Sequence, residues 1–421
     1  MSMDMEKTHK EGVHRALAHG VRHSRSIRKR LRCNIVSGAT TLSSGSILRV
    51  RLPATAGLLD LGSLCIAGDL TLTGASAKLA GGASIFRRVA VQFGAVSVNA
   101  GNSQWNHTQK IADMFKGIDQ ARANAFNGNC PEKYAVNGDR LNIGACWDYT
   151  PLQGILYAPA YGTIEVDMLC ADDKVVQASV NTDLGTWSLA NVSVYVDNIE
   201  LPAESPFYRN VESAIRSEGG YVKTMELAHA LFQNSQGNTN TMAVSTGCLN
   251  SLFVGAKSTT YDLSGGRVLA DGYLSPYFRF TGLSGANSTA SIFFQVGNLN
   301  MPVYGHSANF DDLAPVVLGG NLANPYAQNR LFLTQVITDL SGGSSYNHAS
   351  SSFKAKNALV KIPVGAFPSA DGVMYGLDLA GASQEVRVEQ NDVPASTPLF
   401  MGYTYTGMLT AKDGAVVGFT Q

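Results

Sequence analysis

The residues able to do chemistry are scattered along this 421-residue chain, and none forms a known catalytic pattern. Three acidic pairs, Asp172-Asp173, Asp311-Asp312 and Glu385 with Glu389, have the residue type that acid–base hydrolysis requires. Exposed carboxylates on loops and strand faces explain such pairs more simply. Gly255-Ala256-Lys257-Ser258 resembles the end of a phosphate-binding loop but lacks the upstream glycine whose backbone would cradle a phosphate. The chain is therefore predicted not to be an enzyme.

The candidate metal ligands and the cysteines are scattered along the sequence as well. His306 has Asp311 and Asp312 nearby, but helix capping explains these carboxylates better than a metal site, which needs three or four ligands. The cysteines have no regular spacing: Cys33, Cys65, Cys130, Cys146, Cys170 and Cys248. Because the N-terminus has no apolar signal region, we expect a protein that is not secreted, with reduced, buried thiols. No cofactor is predicted.

Charge is distributed unevenly along a chain that is neutral overall, with 32 basic and 32 acidic residues. Residues 1–32 hold nine Lys or Arg and three Asp or Glu, a net of +6, so the remaining residues carry −6. A basic terminal segment on a mildly acidic body indicates that one end meets an anionic partner. No run of 18 apolar residues occurs, so no membrane-spanning helix is predicted.

The stretch from Gly12 to Arg32 has the periodicity of an amphipathic helix. One side is apolar: Val13, Ala16, Leu17, Val21, Ile27 and Leu31. The other side supplies the candidate contacts to an anionic surface: Arg15, Arg22, Arg25, Lys29 and Arg32. The pattern favours a segment that touches nucleic acid or a membrane face, and a solvated tail is the alternative.

After Cys33 the pattern changes to the period of two that half-buried strands show. Leu48 and Val50 alternate with arginines, and the same alternation marks residues 164–170 and 192–197. These segments predict antiparallel sheets with one face in water.

Turns and two helices separate the predicted strands. Gly94-Ala95 favours a tight type II′ hairpin, and Asp413-Gly414 favours another tight hairpin turn. Residues 104–126 and 205–217 read as helices, the second with Ser205 as its cap. The strands predicted in the later half are 221–233, 242–256, 277–281, 290–301, 329–338, 358–364, 375–389 and 399–420.

A faint repeat runs through these strands. Ala83-Ser84-Ile85-Phe86 recurs as Ala290-Ser291-Ile292-Phe293, 207 residues later. Gln92-Phe93-Gly94 is echoed by Gln295-Val296-Gly297, 203 residues later. The shared order and similar offset favour a duplicated sandwich of about 200 residues.

Four phrases carry a resemblance to a known family: WSLANVSVYVDNIEL at 187–201, CLNSLFV at 248–254, IFFQVGNLNMP at 292–302 and YGLDLAG at 375–381. Their succession, which covers most of residues 45–421, resembles double jelly-roll major capsid proteins. That lineage includes adenovirus hexons, tectivirus-type phages and polinton-like viruses. Asn250 stands where members of the family often carry a lysine.

The resemblance implies an all-β fold of two tandem jelly-roll β-sandwiches, with short helices between strands and a basic amphipathic N-terminal arm. We expect the arm at 1–36, the first jelly roll at 37–204 and the second at 205–421, with 205–217 as a linking helix. Three subunits would form a pseudo-hexagonal homotrimer that tiles an icosahedral shell. Its implied partners are neighbouring capsomers, penton or minor capsid proteins, and an internal membrane or the genome beneath the arm. The implied location is the virion capsid, assembled inside the host cell.

Two other functions fit a chain of two sandwiches with a basic arm. One is a single jelly-roll capsid protein with a protruding second domain. The other is a two-sandwich protein that binds or cleaves glycans, since sandwich folds serve many functions. The oligomeric state would distinguish the three. Trimers would indicate the double jelly roll, small shells the single jelly-roll capsid protein, and monomers the glycan-binding or glycan-cleaving protein.

Overall fold

The computed structural model describes the chain with gaps, and every structural statement concerns the described residues. These are 27–37, 40–53, 57–74, 77–80, 82–115, 134–144, 146–177, 185–202, 205–217, 219–237, 239–257, 280–281, 291–296, 299–301, 308–309, 359–364, 376–379, 384–390 and 398–420.

Strands dominate the described residues, and two α-helices interrupt them. The first set of strands is β1 (Ile27–Arg32), β2 (Asn34–Ser37), β3 (Leu42–Ser43), β4 (Ile47–Arg51), β5 (Leu58–Leu72), β6 (Lys78–Ala80), β7 (Phe86–Phe93), β8 (Val96–Val98), β9 (Tyr134–Val136), β10 (Arg140–Gly144), β11 (Ile155–Tyr157), β12 (Ile164–Cys170), β13 (Val176–Gln177) and β14 (Trp187–Glu200). The second set is β15 (Tyr221–Asn234), β16 (Thr239–Val244), β17 (Cys248–Lys257), β18 (Phe280–Thr281), β19 (Ser291–Val296), β20 (Leu299–Met301), β21 (Ala308–Asn309), β22 (Leu359–Pro363), β23 (Leu377–Asp378), β24 (Gln384–Gln390), β25 (Pro398–Lys412) and β26 (Ala415–Thr420). The helices are α1 (Trp105–Phe115) and α2 (Pro206–Arg216), and short 3-10 turns occur at Gly82–Ile85, Ala158–Ala160 and Asp173–Val175.

The first set of strands forms a sandwich of two antiparallel sheets. One sheet has the order β1-β14-β5-β10, with β11 also on β5 and β3 on β14. The facing sheet has the order β2-β4-β12-β7-β8, and a small third sheet has the order β13-β6-β9. If β1, β4, β5, β7, β8, β10, β12 and β14 are numbered one to eight, the two sheets read 1-8-3-6 and 2-7-4-5. This is the eight-stranded jelly roll, in which two Greek keys close over one core.

The second set repeats this order. Its larger sheet is β15-β25-β17, with β18, β22 and β23 on β17 and β26 on β25. Its smaller sheet is β16-β24-β19-β20, with β21 on β19. The strands β15, β16, β17, β19, β20, β22, β24 and β25 therefore occupy the same eight positions. The sheet order thus shows the predicted pair of tandem jelly rolls.

Alternating side chains explain why these segments form half-buried strands. On β12, Ile164, Val166 and Met168 are fully buried, while Glu165 and Asp167 are half-buried. Leu48 and Val50 of the neighbouring β4 are also fully buried. The predicted hairpin after β7 is confirmed, with Gly94 at φ +57° in the left-handed region that type II′ turns require.

The helix predicted to extend to Arg32 is wrong for its last six residues, which form β1. β1 pairs antiparallel with β14 along its whole length, from Ile27 with Glu200 to Arg32 with Tyr195. The open edge of β14 satisfies the backbone groups of this segment, and tertiary pairing overrides a local helical pattern. β1 holds the position in the first sandwich that β15 holds in the second, so it belongs to the sandwich and not to the arm of residues 1–36.

The two predicted helices have different outcomes. α2 confirms the helix at 205–217, with the Ser205 side chain accepting a hydrogen bond from the Phe207 amide at 3.4 Å. α1 covers the first half of the predicted 104–126 helix, and the rest lies outside the described residues. The strand predicted over 242–256 is wrong as one element, because Ser245 to Gly247 separate β16 from β17.

Strand register tests the repeated phrases. Phe93 ends β7, pairing with Val96 across the turn and with Ile164 on β12. Val296 ends β19 in the same way, pairing with Leu299 and Val386, so the Gln-x-Gly echo marks equivalent positions.

The second repeated phrase does not fit that register. When the residues are counted back from the two hairpins, Phe293 is equivalent to Ala90 and not to Phe86. The Ala-Ser-Ile-Phe echo is therefore out of register by four residues, and in the first copy only Phe86 lies on the strand, after the 3-10 turn at Gly82–Ile85. The duplication is carried by the sheet order and by the hairpin echo alone.

Candidate assembly surfaces

The structure describes only two of the five basic residues predicted to contact an anionic surface. Three lie outside the described residues: Arg15, Arg22 and Arg25. Lys29 and Arg32 lie on β1, where a spacing of three puts them on opposite sides of the strand. The single helical face predicted for these two is therefore wrong. Lys29 also has a partner within the chain, since its Nζ lies 2.7 Å from a carboxylate oxygen of Glu200.

Ion pairs attach β1 to the first sandwich in addition to its backbone ladder. Arg28 and Arg30 each place Nε 3.0 Å from an oxygen of Asp197, and Arg28 also pairs with Asp60. The hydrogen bond to Asp197 raises the pKa of Arg30 above its ordinary value. Both arginines are more than half exposed, whereas the Asp197 side chain is only 12% exposed. β1 is thus a basic strand lying on an acidic strip of its own sandwich.

The two sandwiches meet where α1 of the first covers the larger sheet of the second. Phe232, Phe253 and Phe400 form an aromatic cluster on that sheet, with ring centroids 5.0 and 5.5 Å from Phe400. The ring of His107, on α1, lies 4.9 Å from Phe232 and 5.5 Å from Phe400. Because Phe253 and Phe400 are buried yet outside the core between the sheets, they belong to the contact between sandwiches.

α1 is itself held firmly by the first sandwich. Trp105 is fully buried and stacks on Trp147 at 5.5 Å, with an angle of 20° between the rings. The indole Nε1 of Trp105 donates to the Asp148 carbonyl at 3.1 Å. Ala112 and Tyr149 then pack on Ala228 of β15. α1 is therefore anchored in the first sandwich while it contacts the second.

A second part of the junction lies near the start of β15. Lys223 donates its ammonium to the Gln153 carbonyl at 2.5 Å, and burial lowers its pKa to about 8. Tyr161 is fully buried between Phe93 at 5.6 Å and Tyr221 at 5.9 Å. Burial raises the pKa of the Tyr161 hydroxyl, as expected for a phenol removed from water.

The corresponding sheet of the first sandwich has a different outer face. Arg32, Tyr195 and Cys65 are aligned across β1, β14 and β5, and Tyr195 and Cys65 remain half-exposed. Asn142 of β10 is exposed beside Ala67. This face presents small and polar side chains, and no aromatic cluster covers it among the described residues.

The described residues form neither a metal site nor a phosphate-binding loop. They contain no group of three or more His, Cys, Asp or Glu side chains arranged to hold a metal ion. Gly255 to Lys257 lie within β17, so their backbone is extended and does not form a phosphate loop. Asp172 caps the turn at Asp173–Val175, accepting a hydrogen bond from the Lys174 amide at 3.2 Å. His306 and the Asp311-Asp312 pair lie outside the described residues.

Among the described residues no disulfide joins the cysteines. Cys33, Cys146 and Cys170 are buried, whereas Cys65 and Cys248 are half-buried, so the expected burial is wrong for these two. Burial raises the pKa of Cys33 and of Cys170 to about 12 each, which keeps both thiols protonated. In the described residues no helix is long and apolar enough to cross a membrane.

Sequence reasoning missed the partners of β1 and the aromatic cluster. Asp197 falls on the polar side of the alternation at 192–197, so the sequence alone did not mark it as the partner of β1. The three phenylalanines of the cluster lie on three strands far apart in sequence, so no local pattern relates them.

No protein-family model matches the chain, and no curated protein matches it in sequence. Solved structures match it in fold. The PBCV-1 virus capsid model is 11% identical, with a TM-score of 0.60 over 95% of this chain and 97% of that one. The mavirus major capsid protein is 10% identical, with a TM-score of 0.52 over 92% of this chain and 89% of that one. The Faustovirus major capsid protein is 8% identical, with a TM-score of 0.51 over 92% and 91%. The chain therefore has the fold of the double jelly-roll major capsid proteins.

Proposed function

We propose that the protein is a structural subunit of a viral shell, a major capsid protein that acts by assembling with itself and not by catalysis. The observation that carries the proposal is the repeated eight-strand order, together with the match of capsid structures over more than nine-tenths of this chain. In this proposal the first jelly roll ends near residue 204, and the second begins with the linking helix at 205–217.

The geometry suits a rigid building block. α1 and the aromatic cluster join one sandwich to the other, which supports a fixed angle between them in the assembled subunit. A shell subunit needs this property because many identical contacts must close around a symmetric object. We propose the homotrimer as the assembling unit, in contact with neighbouring capsomers and with penton or minor capsid proteins in the virion.

The N-terminal residues face an anionic layer in this proposal, either an internal membrane or the genome. Residues 1–26 hold five Lys or Arg and three Asp or Glu, including Arg15, Arg22 and Arg25. Each basic residue near an anionic lipid surface contributes about 1 kcal/mol before salt screening. The deletion that tests this role removes residues 1–26, because β1 belongs to the sandwich.

The decisive experiment is the oligomeric state of the full chain, measured by light scattering and by negative-stain microscopy. We expect trimers with a hexagonal outline at micromolar concentration, and a stable monomer would overturn the proposal. In the chain lacking residues 1–26, trimers should persist while binding to anionic liposomes falls. Unchanged liposome binding would show that residues 1–26 form a solvated tail.

A further inference from the structure

Two histidines lie at the junction of the two sandwiches, one on each side of β15. His107 belongs to α1 of the first sandwich, and its ring lies 4.9 Å from Phe232 of β15. His229 belongs to β15 and points to the opposite face of the sheet, since it is three residues from Phe232. Gly101, in the segment before α1, lies against it, because a β-carbon added there would be 3.7 Å from Nδ1 of His229. The junction therefore contains two groups of the type that titrates near neutral pH.

The hydrogen bonds of Asn106 determine which ring nitrogen of His107 carries a hydrogen. Nδ2 of Asn106 donates to the Ser84 carbonyl at 3.2 Å, so Oδ1 of Asn106 is the atom that faces His107. That oxygen accepts from the His107 backbone amide and lies 3.0 Å from Nδ1 of the ring, so Nδ1 is the donor. A further proton would therefore bind at Nε2 and would charge a ring that is 1% exposed.

The surroundings of both rings suit the neutral imidazole. The ring of His107 lies against Phe232 and Phe400, and the ring of the half-buried His229 lies 5.4 Å from Tyr403. Burial lowers the pKa of His229. Because the transfer of a charge from water into such surroundings is costly, the neutral form of each ring is the one that fits the closed junction.

The carboxylates on the elements around these rings lie elsewhere. Asp148 accepts a hydrogen bond from Gln109 at 2.8 Å, on the side of α1 that faces the first sandwich. Glu226 lies on β15 six residues before Phe232, about 20 Å along the strand. The other charged residues on α1, β7, β15 and β25 are Lys110, Asp113, Arg87, Arg88, Lys223 and Lys412.

We propose that the junction of the two sandwiches is acid-sensitive: it is closed while His107 and His229 are neutral and weakens when acid adds a proton to each ring. The pKa of His229 is lower in the folded chain than its ordinary value of about 6.5, so below that pH the unfolded chain binds more protons. The stability of the junction therefore falls as the pH drops through this window. In a shell, a consequence that rests on the proposed function, acid would loosen the angle between the sandwiches of every subunit.

Amide hydrogen exchange of the full chain at pH 7.5 and pH 5.0, corrected for intrinsic rates, tests the acid-sensitive junction. We expect the protection of the α1 amides to fall about tenfold at the lower pH, the effect of a difference of about one pKa unit. The amides of β12, in the facing sheet of the first sandwich, should keep their protection. Equal protection of α1 at both pH values would overturn the proposal.

Substitution of both histidines identifies the groups responsible. His107→Phe combined with His229→Phe keeps two aromatic rings that take no proton, and Oδ1 of Asn106 still accepts from the backbone amide of residue 107. This double variant should lose the acid response of α1. The control chain lacks residues 1–26, which hold four of the eight histidines, and should keep the response. An unchanged response in the double variant would contradict the assignment to His107 and His229.

A second measurement needs no substitution. Deuterium exchange at the ring Cε1–H of His229, followed against pH by peptide mass spectrometry, gives the titration midpoint of this ring. We expect the midpoint in the folded chain to lie below that in the urea-unfolded chain, and an equal or higher midpoint would overturn the proposal. Light scattering at both pH values records the oligomeric state separately. Absence of trimers would overturn the proposed shell, whereas the response of α1 and of His229 alone decides whether the junction is acid-sensitive.

Discussion

The larger sheets of the two sandwiches share one strand order but differ in what covers them. The outer face of the second sandwich's larger sheet, the covered face, carries Phe232, Phe253 and Phe400. Phe253 and Phe400 are buried, and His107 of α1 contacts Phe232 and Phe400. The outer face of the first sandwich's larger sheet, the open face, carries Tyr195 and Cys65, and both are half-exposed.

The first strands differ in the same sense. β15 has fourteen residues and a buried centre, whereas β1 has six, five of them exposed, and is attached through Arg28, Arg30 and Asp197. A contact within a chain is always formed, so it can be aromatic and dry. A face in contact with water favours small and polar side chains instead.

The largest effect should come from removing the centre of the covered face. Phe400→Ala deletes a fully buried ring that contacts Phe232, Phe253 and His107. We expect the free energy of unfolding to fall by about 3 to 5 kcal/mol, as for other buried phenylalanines. The measurement is urea unfolding of the dissociated chain.

The matched substitution on the open face is Tyr195→Ala. Since Tyr195 is half-exposed in the single chain, its loss should cost less than about 1 kcal/mol in the same experiment. Equal losses for Phe400→Ala and Tyr195→Ala would contradict the distinction between a covered face and an open one.

A smaller effect is expected at the attachment of β1. Asp197→Asn keeps the shape of the side chain but removes the charge that Arg28 and Arg30 share. We expect a loss of about 1 to 2 kcal/mol, since the carboxylate is mostly buried while the arginines can return to water. Hydrogen exchange of the β1 amides should accelerate, because an edge strand opens without global unfolding.

Glu200→Gln is the control for this prediction, because the pair of Glu200 with Lys29 is 42% and 51% exposed. Exposed pairs contribute little, so its loss should stay below about 0.5 kcal/mol. If both substitutions accelerate exchange in β1 equally, Asp197 has no special part in holding the strand.

Local patterns predicted the strands and turns well. The alternation of apolar and polar residues predicted β4 and β12. The hairpins predicted at Gly94 and at Asp413-Gly414 have the positive φ angles that such turns need, +57° at Gly94, +52° at Asp413 and +79° at Gly414. These features depend on neighbours in sequence, which is the information that a single chain supplies.

The failures involve contacts distant in sequence. The basic and apolar residues of Ile27–Arg32 fit a helical period, but the edge of β14, more than 160 residues away, supplied a ladder that no local pattern reveals. The shared helical face predicted for Lys29 and Arg32 is wrong for the same reason, and their contact with an anionic surface stays a prediction. The role of Arg15, Arg22 and Arg25 stays a prediction.

A pH-dependent effect is expected for Lys223, which joins the two sandwiches through the Gln153 carbonyl. Burial lowers its pKa from an ordinary 10.5 to about 8, and within the described residues it forms no ion pair that would offset this. Below pH 8 the amine is charged in the folded and the unfolded chain alike, so the folded state carries the whole cost of burial. As the pH rises from about 8 to 10.5, the folded chain loses the proton first and the free energy of unfolding increases.

Lys223→Met should therefore stabilise the chain at pH 7 by about 1 kcal/mol and should remove this rise with pH. The comparison is the difference between variant and unmodified chain in urea unfolding at pH 7, 8, 9 and 10, because other groups titrate in both proteins. Lys174→Met, at an exposed lysine, is the control and should leave both the stability and its pH dependence unchanged. A less stable Lys223→Met chain at pH 7 would show that the hydrogen bond to Gln153 outweighs burial. The junction would then depend on a polar contact as well as on its aromatic cluster, and the contrast between the covered and the open face would be smaller than the side chains suggest.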